Sequence, residues 1–366
     1  MTHLLIPFND LRAAHADLEP ALEAAARRVL TSGWFILGGE VSAFEVEFAA
    51  YHGVAHAVGV ANGTDALELA LRAAGIGRGD EVITVAHTAV PTVCAIERAG
   101  ATPVLVDIEE STYTIDPAAV EAAITPRTRA ILPVHLYGQP ADMPALLHIA
   151  EARHLLLIED CAQAHGARLN GALVGTFGHL AAFSFYPTKN LGAVGDGGMV
   201  ITGDSGYAER LRRLRNYGQV SRYEHAERGI NSRLDEMQAA LLRVKLPLLD
   251  PHNARRRSLA EAYTARLTGT PVLPPAVRDG ADHVFHLYVV RSAERDALME
   301  RLKARGVGTL IHYAVPVHLQ PAYRDLGCHE GSLPVTERIA REILSLPLHL
   351  GLTTEDVQTV TEAMRA

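Results

Sequence analysis

The chain has 366 residues, more than one typical domain, so we expect two domains that share a core. Of its residues 48% are hydrophobic and 21% are charged, which is typical of a globular protein. Its net charge of -8 at pH 7 argues against a nucleic-acid surface, and three scattered cysteines exclude a disulfide framework or a zinc site. The start lacks the features of a signal peptide and no apolar run reaches the roughly 18 residues of a membrane helix, so we expect a cytoplasmic protein without a membrane partner.

Apolar and amphipathic segments alternate through the first 200 residues. The pattern predicts early helices at 18–30 and 41–50. The strands predicted after them are 54–60, 81–85, 103–108, 130–136, 155–159, 181–186 and 198–202. The helices predicted between these strands are 64–74, 89–99, 117–124 and 143–154. This order indicates an α/β fold with three αβα layers and a mostly parallel sheet, in which ligands bind at the carboxyl ends of the strands.

The rest of the chain predicts a second, smaller unit. A helix is expected at 207–215, followed by a helical tract at 234–267 that Pro247 and Pro251 should kink or split. We place the domain boundary in this tract, with a large domain at 1–250 and a small C-terminal α+β domain at 251–366. The elements predicted for the small domain are a strand at 283–290 and helices at 295–305, 335–344 and 355–364.

One lysine stands between an apolar strand and a glycine-rich turn. Pro187 ends the strand, and Lys189 precedes Gly192, Gly195, Gly197 and Gly198. These glycines let the backbone bend sharply or approach another group closely. A lysine held there is partly desolvated, which lowers its pKa and makes it a nucleophile toward a carbonyl. The alternative interpretation is a surface lysine beside a loop.

Two other strand ends carry polar groups. Gly63 and Thr64 open a helix, where free N–H groups and a hydroxyl suit a phosphate, unless Thr64 or Asp65 merely caps that helix. Asp160 ends another strand, where a buried carboxylate needs a cationic partner such as a protonated ring nitrogen, unless it caps the next turn. A phosphate, a cationic ring nitrogen and a carbonyl that condenses with an amine together describe pyridoxal phosphate, whose ring acts as an electron sink.

Six segments make the chain similar to a known family. The chain resembles the DegT-type sugar aminotransferases, a branch of the fold type I enzymes that use pyridoxal phosphate. The segments that carry the resemblance are 32–38, 62–67, 159–166, 184–192, 231–239 and 345–348, so that it covers nearly the whole chain. It implies the fold type I architecture, with three αβα layers and a smaller C-terminal α+β domain.

The resemblance also implies roles for particular residues. Lys189 is similar to the Schiff-base lysine of the family, Asp160 to the partner of the pyridine nitrogen, and Gln163 to the residue beside the 3-hydroxyl of the ring. The residues that resemble phosphate ligands are Gly63, Thr64, Ser184 and Asn231. In the family this asparagine comes from the neighbouring subunit, which implies a homodimer with shared active sites.

One position departs from the family pattern. Ala89 stands where many relatives carry an aromatic residue that covers the ring face. The sequence leaves open whether His87 or another side chain fills that space, or whether the ring is less covered.

The substrate is implied by the segments 229–236, 312–313 and 316–320, which look most like those of enzymes acting on nucleotide-linked 3-keto-6-deoxy sugars. By this resemblance Tyr186, His312 and Tyr313 line a sugar pocket, L-glutamate is the amino donor, and the reaction is a ping-pong transamination in amino-sugar biosynthesis. The alternatives are a keto-cyclitol aminotransferase of the scyllo-inosose type, a non-catalytic regulatory protein that binds the cofactor, and a deoxysugar dehydratase. The dehydratases carry histidine at the position of Lys189, which argues against the last.

Overall fold

The computed structural model describes residues 5–365. The strands are β1 (His56–Val60), β2 (Glu81–Val85), β3 (Thr102–Val106), β4 (Thr128–Ile131), β5 (Leu156–Asp160), β6 (Arg168–Leu169), β7 (Ala172–Leu173), β8 (Leu180–Ser184), β9 (Gly198–Thr202), β10 (Gln219–Ser221), β11 (Glu224–His225), β12 (Ala281–Asp282), β13 (Tyr288–Arg291) and β14 (Ile343–Leu346). The helices are α1 (Leu11–His15), α2 (Glu19–Ser32), α3 (Gly39–His52), α4 (Gly63–Ala73), α5 (Val90–Arg98), α6 (Pro117–Ala123), α7 (Met143–Arg153), α8 (Ser205–Leu214), α9 (Glu236–Lys245), α10 (Leu249–Leu267), α11 (Arg295–Ala304), α12 (Pro334–Glu342) and α13 (Thr354–Arg365). No helix in this part of the chain is both long and apolar enough to cross a membrane.

A seven-stranded sheet forms the centre, in the order β1-β9-β8-β5-β4-β2-β3. β9 is antiparallel to both of its neighbours, whereas the other pairings are parallel. This mixed, mainly parallel sheet confirms the predicted α/β fold. The direction of β9 was not predicted, because an apolar run of five residues reads the same in either direction.

At β1, β8 and β9 both faces of this sheet are buried, because successive side chains of these strands enter different hydrophobic clusters. In β8, Leu180 and Ala182 join one cluster, and Ala181 and Phe183 join the other. The first cluster includes apolar side chains of α4 and α7, and the second includes those of α3 and α9. Because the helices cover the faces of the sheet, a ligand can reach the strands at their ends.

The tract predicted as one kinked helix contains a single break. α9 ends at Lys245 and a short 3-10 turn, Leu246–Leu248, contains Pro247. Pro251 lies in the first turn of α10, where its missing N–H would have no intrahelical acceptor, so α10 continues without a kink. The expectation that both prolines interrupt the tract is therefore wrong for Pro251.

Two elements near the C-terminus differ from their predictions. The strand predicted at 283–290 begins only at Tyr288, since Phe285 has a φ of 43°, which an extended strand does not allow. The helix predicted at 335–344 ends at Glu342, and the buried residues of β14 pair antiparallel with β13. Burial on both sides favours a strand over the last turn of an amphipathic helix.

A third hydrophobic cluster gathers α10, α11, α13, β13 and β14. Leu249 at the start of α10 packs in the second cluster, while Leu259 and Leu267 pack in the third, so this helix bridges the two. The division of the chain after residue 250 stays a prediction.

The aromatic cluster beneath β8 generates a stability prediction. The ring of Phe48 is fully buried, with ring centroids 5.6 Å from Phe44, 5.1 Å from Phe183 and 5.5 Å from Phe185. We expect Phe48→Ala to lower the free energy of unfolding by about 3–5 kcal/mol, because it leaves a cavity among these rings. Urea unfolding followed by circular dichroism measures this change.

The control lies on the same helix. Val46 is 69% exposed, so Val46→Ala should change the unfolding free energy by no more than about 0.5 kcal/mol. Equal effects of the two substitutions would contradict the packing described for α3.

Candidate active site

A cavity of ≈ 230 Å³ opens at the carboxyl ends of β1, β5 and β8. The residues that the sequence singled out and that line this cavity are Gly63, Thr64, Asp160, Gln163, Ser184, Tyr186 and Lys189. They come from three separate segments of the chain, and the parallel order of the strands brings them to one edge of the sheet. We call this space the front cavity.

The start of α4 forms one wall of the front cavity. Asn62 caps the helix, since its side-chain oxygen accepts the N–H of Asp65 at 2.8 Å. The N–H groups of Gly63 and Thr64 precede that residue and have no acceptor within the helix, so they remain available to an anion. The alternative, in which Thr64 or Asp65 serves as the cap, is wrong because Asn62 has that role.

Gly63 brings this helix against the end of β8. A Cβ atom on Gly63 would lie 2.6 Å from the Cβ of Ser184, closer than real Cβ contacts allow. Glycine therefore lets the Ser184 hydroxyl lie beside the first turn of α4. The two hydroxyls, the N–H groups and the positive end of the helix dipole form a cradle suited to a phosphate.

Asp160 is 4% exposed at the end of β5. One carboxylate oxygen accepts the Thr92 hydroxyl at 2.9 Å, and the other accepts the N–H of Ala162 at 3.1 Å. The residue therefore caps the next turn and also lines the cavity, so the two interpretations of the sequence are compatible. Burial raises the pKa of Asp160, and these hydrogen bonds and the charge of Lys189 oppose that rise.

Sequence reasoning missed Thr92, which lies on α5 and acts on Asp160. Its hydroxyl also lies 2.9 Å from that of Thr88. Nothing in the local sequence links Thr92 to an aspartate 68 residues away, because only the pairing of strands brings the two together.

Lys189 lies in a tight turn at residues 187–192, here named the lysine loop. Its backbone N–H donates to the Tyr186 carbonyl at 2.8 Å. A Cβ atom on Gly192 would lie 2.3 Å from the Pro187 carbonyl oxygen, so the loop can close in this way only with glycine at that position. The sequence allows two uses for the glycines after Lys189, a sharp bend of the backbone or a close approach to another group. Gly192 has the second use, because its backbone packs against the Pro187 carbonyl.

The amine of Lys189 is held out of bulk water in the front cavity. Desolvation lowers its pKa to about 8, and the nearby charge of Asp160 opposes this fall. Near neutral pH an appreciable fraction of the amine is therefore unprotonated, as a nucleophile requires.

Gln163 connects the front cavity to two tyrosines. Its side-chain nitrogen donates to the Tyr313 hydroxyl at 3.1 Å, and its oxygen accepts the N–H of Tyr137 at 2.7 Å. The Tyr137 hydroxyl lies 3.0 Å from Nε2 of His87. His87 is thus buried behind the wall and does not line the cavity, whereas Ala89 does.

The remaining predicted residues do not line the front cavity. His312 lines a second cavity of ≈ 390 Å³, here named the side cavity, which shares Tyr186 with the front cavity. Tyr313 reaches the front cavity only through its hydrogen bond to Gln163. Asn231 is exposed and lines neither cavity, so this subunit does not bring it to the other phosphate-binding groups.

One buried group resembles a metal site in composition. His135, Glu159 and Cys161 lie close together. However, Glu159 already accepts three backbone N–H groups, and both ring nitrogens of His135 are in hydrogen bonds. These contacts saturate the histidine and the carboxylate, so the group is structural.

The donor set of the front cavity fits pyridoxal phosphate. A desolvated amine suits an aldehyde, a buried carboxylate suits a protonated ring nitrogen, and the helix N-terminus suits a phosphate.

Comparison with known proteins agrees with this chemistry. A model of the DegT/DnrJ/EryC1/StrS aminotransferase family matches residues 17–365. The dTDP-3-amino-3,4,6-trideoxy-alpha-D-glucose transaminase of Streptomyces venezuelae is 53% identical over 98% of this chain and 95% of its own. The erythromycin biosynthesis sensory transduction protein EryC1 of Saccharopolyspora erythraea is 54% identical over 99% of both chains. The crystal structure of S. venezuelae DesV in complex with a ketimine intermediate has a TM-score of 0.97 and 53% identity, covering 100% of this chain and 98% of that one.

The lowered pKa of Lys189 predicts a pH dependence of stability. The unfolded chain, in which lysine has its ordinary pKa of 10.5, binds more protons than the folded chain between about pH 8 and that value. The contribution of Lys189 to folding stability therefore rises as the pH increases through this window. Relative to Lys189→Met, the ligand-free wild-type protein should gain unfolding free energy from pH 8 to pH 10 in urea titrations.

Lys303 provides the matched control, because its side chain is 65% exposed to water. The difference between wild type and Lys303→Met should stay level over the same range. A level difference for Lys189→Met would mean that the amine is not desolvated.

Proposed function

The chain belongs to the DegT/DnrJ/EryC1/StrS aminotransferase family and is therefore a transaminase that uses pyridoxal phosphate, and from this premise we propose that it aminates a nucleotide-linked 3-keto deoxysugar in amino-sugar biosynthesis. The single observation that carries the proposal is the front cavity, which combines a desolvated amine, a buried carboxylate and the N-terminus of a helix. The name of the S. venezuelae relative, a 3-amino sugar transaminase, supports the sugar class and the position of amination.

The proposed cofactor ligands follow from the walls of the front cavity. Lys189 would hold the cofactor covalently, Asp160 would pair with its ring nitrogen, and Gln163 would bind near its 3-hydroxyl. Gly63, Thr64 and Ser184 would bind its phosphate. When bound, pyridoxal phosphate supplies a ring that stores the electrons of the bond broken at the amino donor.

Lys189 has a second proposed role as the group that moves protons. Its pKa of about 8 lies near neutral pH, and a group that both accepts and donates protons works best when its pKa is close to the pH of the reaction. In each half-reaction the free amine would accept a proton from one carbon and give it to another, so that its own protonation state is restored. In the first it would take the proton from Cα of the donor, which we propose is L-glutamate, and in the second it would deliver one to the sugar carbon that receives nitrogen.

The side cavity is the proposed entrance for the sugar. Tyr186 is 53% exposed and lines both cavities, so it lies on the path between them. Burial lowers the pKa of His312 to about 4, so its imidazole is neutral at neutral pH and can bond to sugar hydroxyls. We propose that Tyr313 contributes through Gln163, which its hydroxyl contacts.

We propose that the active form is a homodimer in which Asn231 completes the partner's phosphate site. Two segments beside Asn231 in the fold expose large apolar side chains. Asn216 pairs with Asn231, and Ile36 pairs with Asp235, through isolated bridges. The exposed side chains are Leu30, Trp34, Phe35, Ile36, Tyr217, Val220 and Tyr223. An apolar patch of this kind is typical of a subunit interface, and its position beside Asn231 supports a shared site.

Nucleotide sugars and L-glutamate are metabolites of the cytoplasm, which is the proposed location. The name of EryC1 refers to sensory transduction, and a regulatory protein could share this fold. Regulation alone does not require an amine of lowered pKa beside a buried carboxylate, and this pair favours catalysis in the present chain.

Replacement of the lysine tests the proposed chemistry. Lys189→Ala should abolish the visible absorbance of the covalently bound cofactor and lower turnover to background, whereas Lys303→Ala should leave both unchanged. The cofactor-amine form of the wild type is then mixed with a panel of nucleotide-linked ketosugars and with scyllo-inosose. We expect only 3-keto nucleotide sugars to restore the absorbance, with the position of nitrogen read by NMR; restoration by scyllo-inosose alone would favour a cyclitol substrate.

Mixed dimers test whether Asn231 acts across the interface. Lys189→Ala subunits should be inactive, and Asn231→Ala should weaken cofactor affinity about tenfold through the loss of a hydrogen bond to a charged group. In a heterodimer of the two variants, one of the two sites combines the intact lysine with the intact asparagine of the other subunit. Activity at limiting cofactor should therefore exceed that of either homodimer. If mixing restores nothing, Asn231 does not complete the neighbouring site.

A further inference from the structure

A third cavity borders the lysine loop and is not needed for the proposed reaction. This space, here named the rear cavity, measures ≈ 50 Å³. The groups around it that bear on its chemistry are Lys245 of α9, Arg256 of α10, His349, and the lysine loop from Pro187 to Gly192.

Two cations of the rear cavity have only neutral partners. Lys245 Nζ donates to the Gly192 carbonyl at 2.8 Å and lies 2.8 Å from Nε2 of His15. Arg256 donates to the carbonyls of Phe285 at 3.3 Å and Leu348 at 3.1 Å. Within residues 5–365, neither cation has a carboxylate within ion-pair distance, and no acidic residue lines the cavity.

Burial makes this lack of counter-charge significant. Lys245 and Arg256 are each 7% exposed, and buried charges in proteins are normally paired. Desolvation lowers the pKa of Lys245 to about 8 and that of Arg256 to about 10, and no carboxylate in the described part of the chain opposes either change. An anion in the cavity would supply the missing counter-charge.

His349 gives an independent indication of a ligand. It is 5% exposed, and neither of its ring nitrogens makes a hydrogen bond within the described residues, although it approaches the Pro7 carbonyl. A buried polar side chain without a partner is uncommon, and this one lines the cavity that holds the two unpaired cations.

The size of the rear cavity limits its occupant. Its ≈ 50 Å³ exceeds the roughly 10–15 Å³ that one water molecule needs by this kind of measure. The space suits a phosphate, a sulfate or a carboxylate group and is too small to enclose a nucleotide sugar.

We propose that the rear cavity is a binding site for a small oxyanion, held by Lys245, Arg256 and His349. Because Lys245 also holds the carbonyl of Gly192, the occupied site fixes the loop that carries Lys189. Arg256 and Thr188 line both the rear and the side cavity, so the oxyanion is either a free inorganic ion or the carboxylate of an amino donor.

Calorimetric titration of the holoenzyme with inorganic phosphate tests the site, since the bound cofactor already fills the phosphate cradle of the front cavity. Wild type should bind one phosphate per subunit at constant ionic strength. Lys245→Gln should weaken this binding about tenfold, as expected for the loss of one charge-assisted hydrogen bond. Lys303→Gln, which removes the same charge from an exposed position, should bind phosphate like the wild type.

The absorbance of the bound cofactor reports whether each variant is folded. If Lys245→Gln lacks that signal, His349→Ala replaces it and should weaken phosphate binding several-fold. The absence of saturable binding to the wild type, or binding unchanged in a folded Lys245→Gln or His349→Ala variant, would overturn the proposal.

Steady-state kinetics with L-glutamate identify the source of the oxyanion. This second experiment rests on the proposed function, because it requires transamination. If the occupant is the carboxylate of L-glutamate, phosphate should compete with L-glutamate, and Lys245→Gln should raise the KM for L-glutamate more than it changes kcat. If the occupant is a free ion, that KM should stay constant and phosphate should still bind at saturating L-glutamate. Both results support an oxyanion site. The calorimetry does not depend on transamination, so failure of the proposed function leaves its result interpretable.

Discussion

The constraint on which the structure depends is the burial of an amine and a carboxylate in one cavity. Desolvation moves their pKa values in opposite directions, lowering that of Lys189 and raising that of Asp160, while each charge opposes the change in the other. Each group is thus less stable when charged than it would be in water. A ligand that satisfies both stabilises the folded state, so the cost of desolvation becomes part of the driving force for binding.

The scaffold must hold this pair against that cost, and it does so from several directions. β5 and β8 are parallel neighbours with Asp160 in register with Ala182, which fixes where the carboxylate lies relative to the strand that leads to the lysine loop. The loop is held from the other side by Asn190, whose side chain donates to Asn253 at 2.8 Å and to the Val284 carbonyl at 3.0 Å. The later part of the chain therefore helps to position the lysine, although the sheet belongs to the earlier part.

Much of this arrangement could be predicted from sequence, because strands buried on both faces leave continuous apolar runs and strand ends are marked by polar residues. Lys189, Asp160 and Gly63 were found in this way and lie around one cavity. The role of Thr92 could not be predicted, since it depends on a contact between distant segments. Pro251 was misjudged because a proline is disruptive only beyond the first turn, and sequence alone did not fix where α10 begins.

The lysine loop lies between the front cavity and the rear cavity, and each cavity contains a lysine whose charged form is destabilised by burial. The two lysines differ in whether the protein supplies an opposing charge. Lys189 and Lys245 both have a pKa lowered to about 8 by burial. Asp160 provides a fixed opposing charge for Lys189, so that this amine remains poised between its two protonation states in a site built from the protein alone. Among residues 5–365, no carboxylate serves Lys245 in this way. Its fixed partners are the neutral Gly192 carbonyl and His15, so a counter-charge has to come from a mobile anion. Occupancy of the rear cavity then depends on the anions around the protein, whereas the chemistry of the front cavity is fixed by the fold.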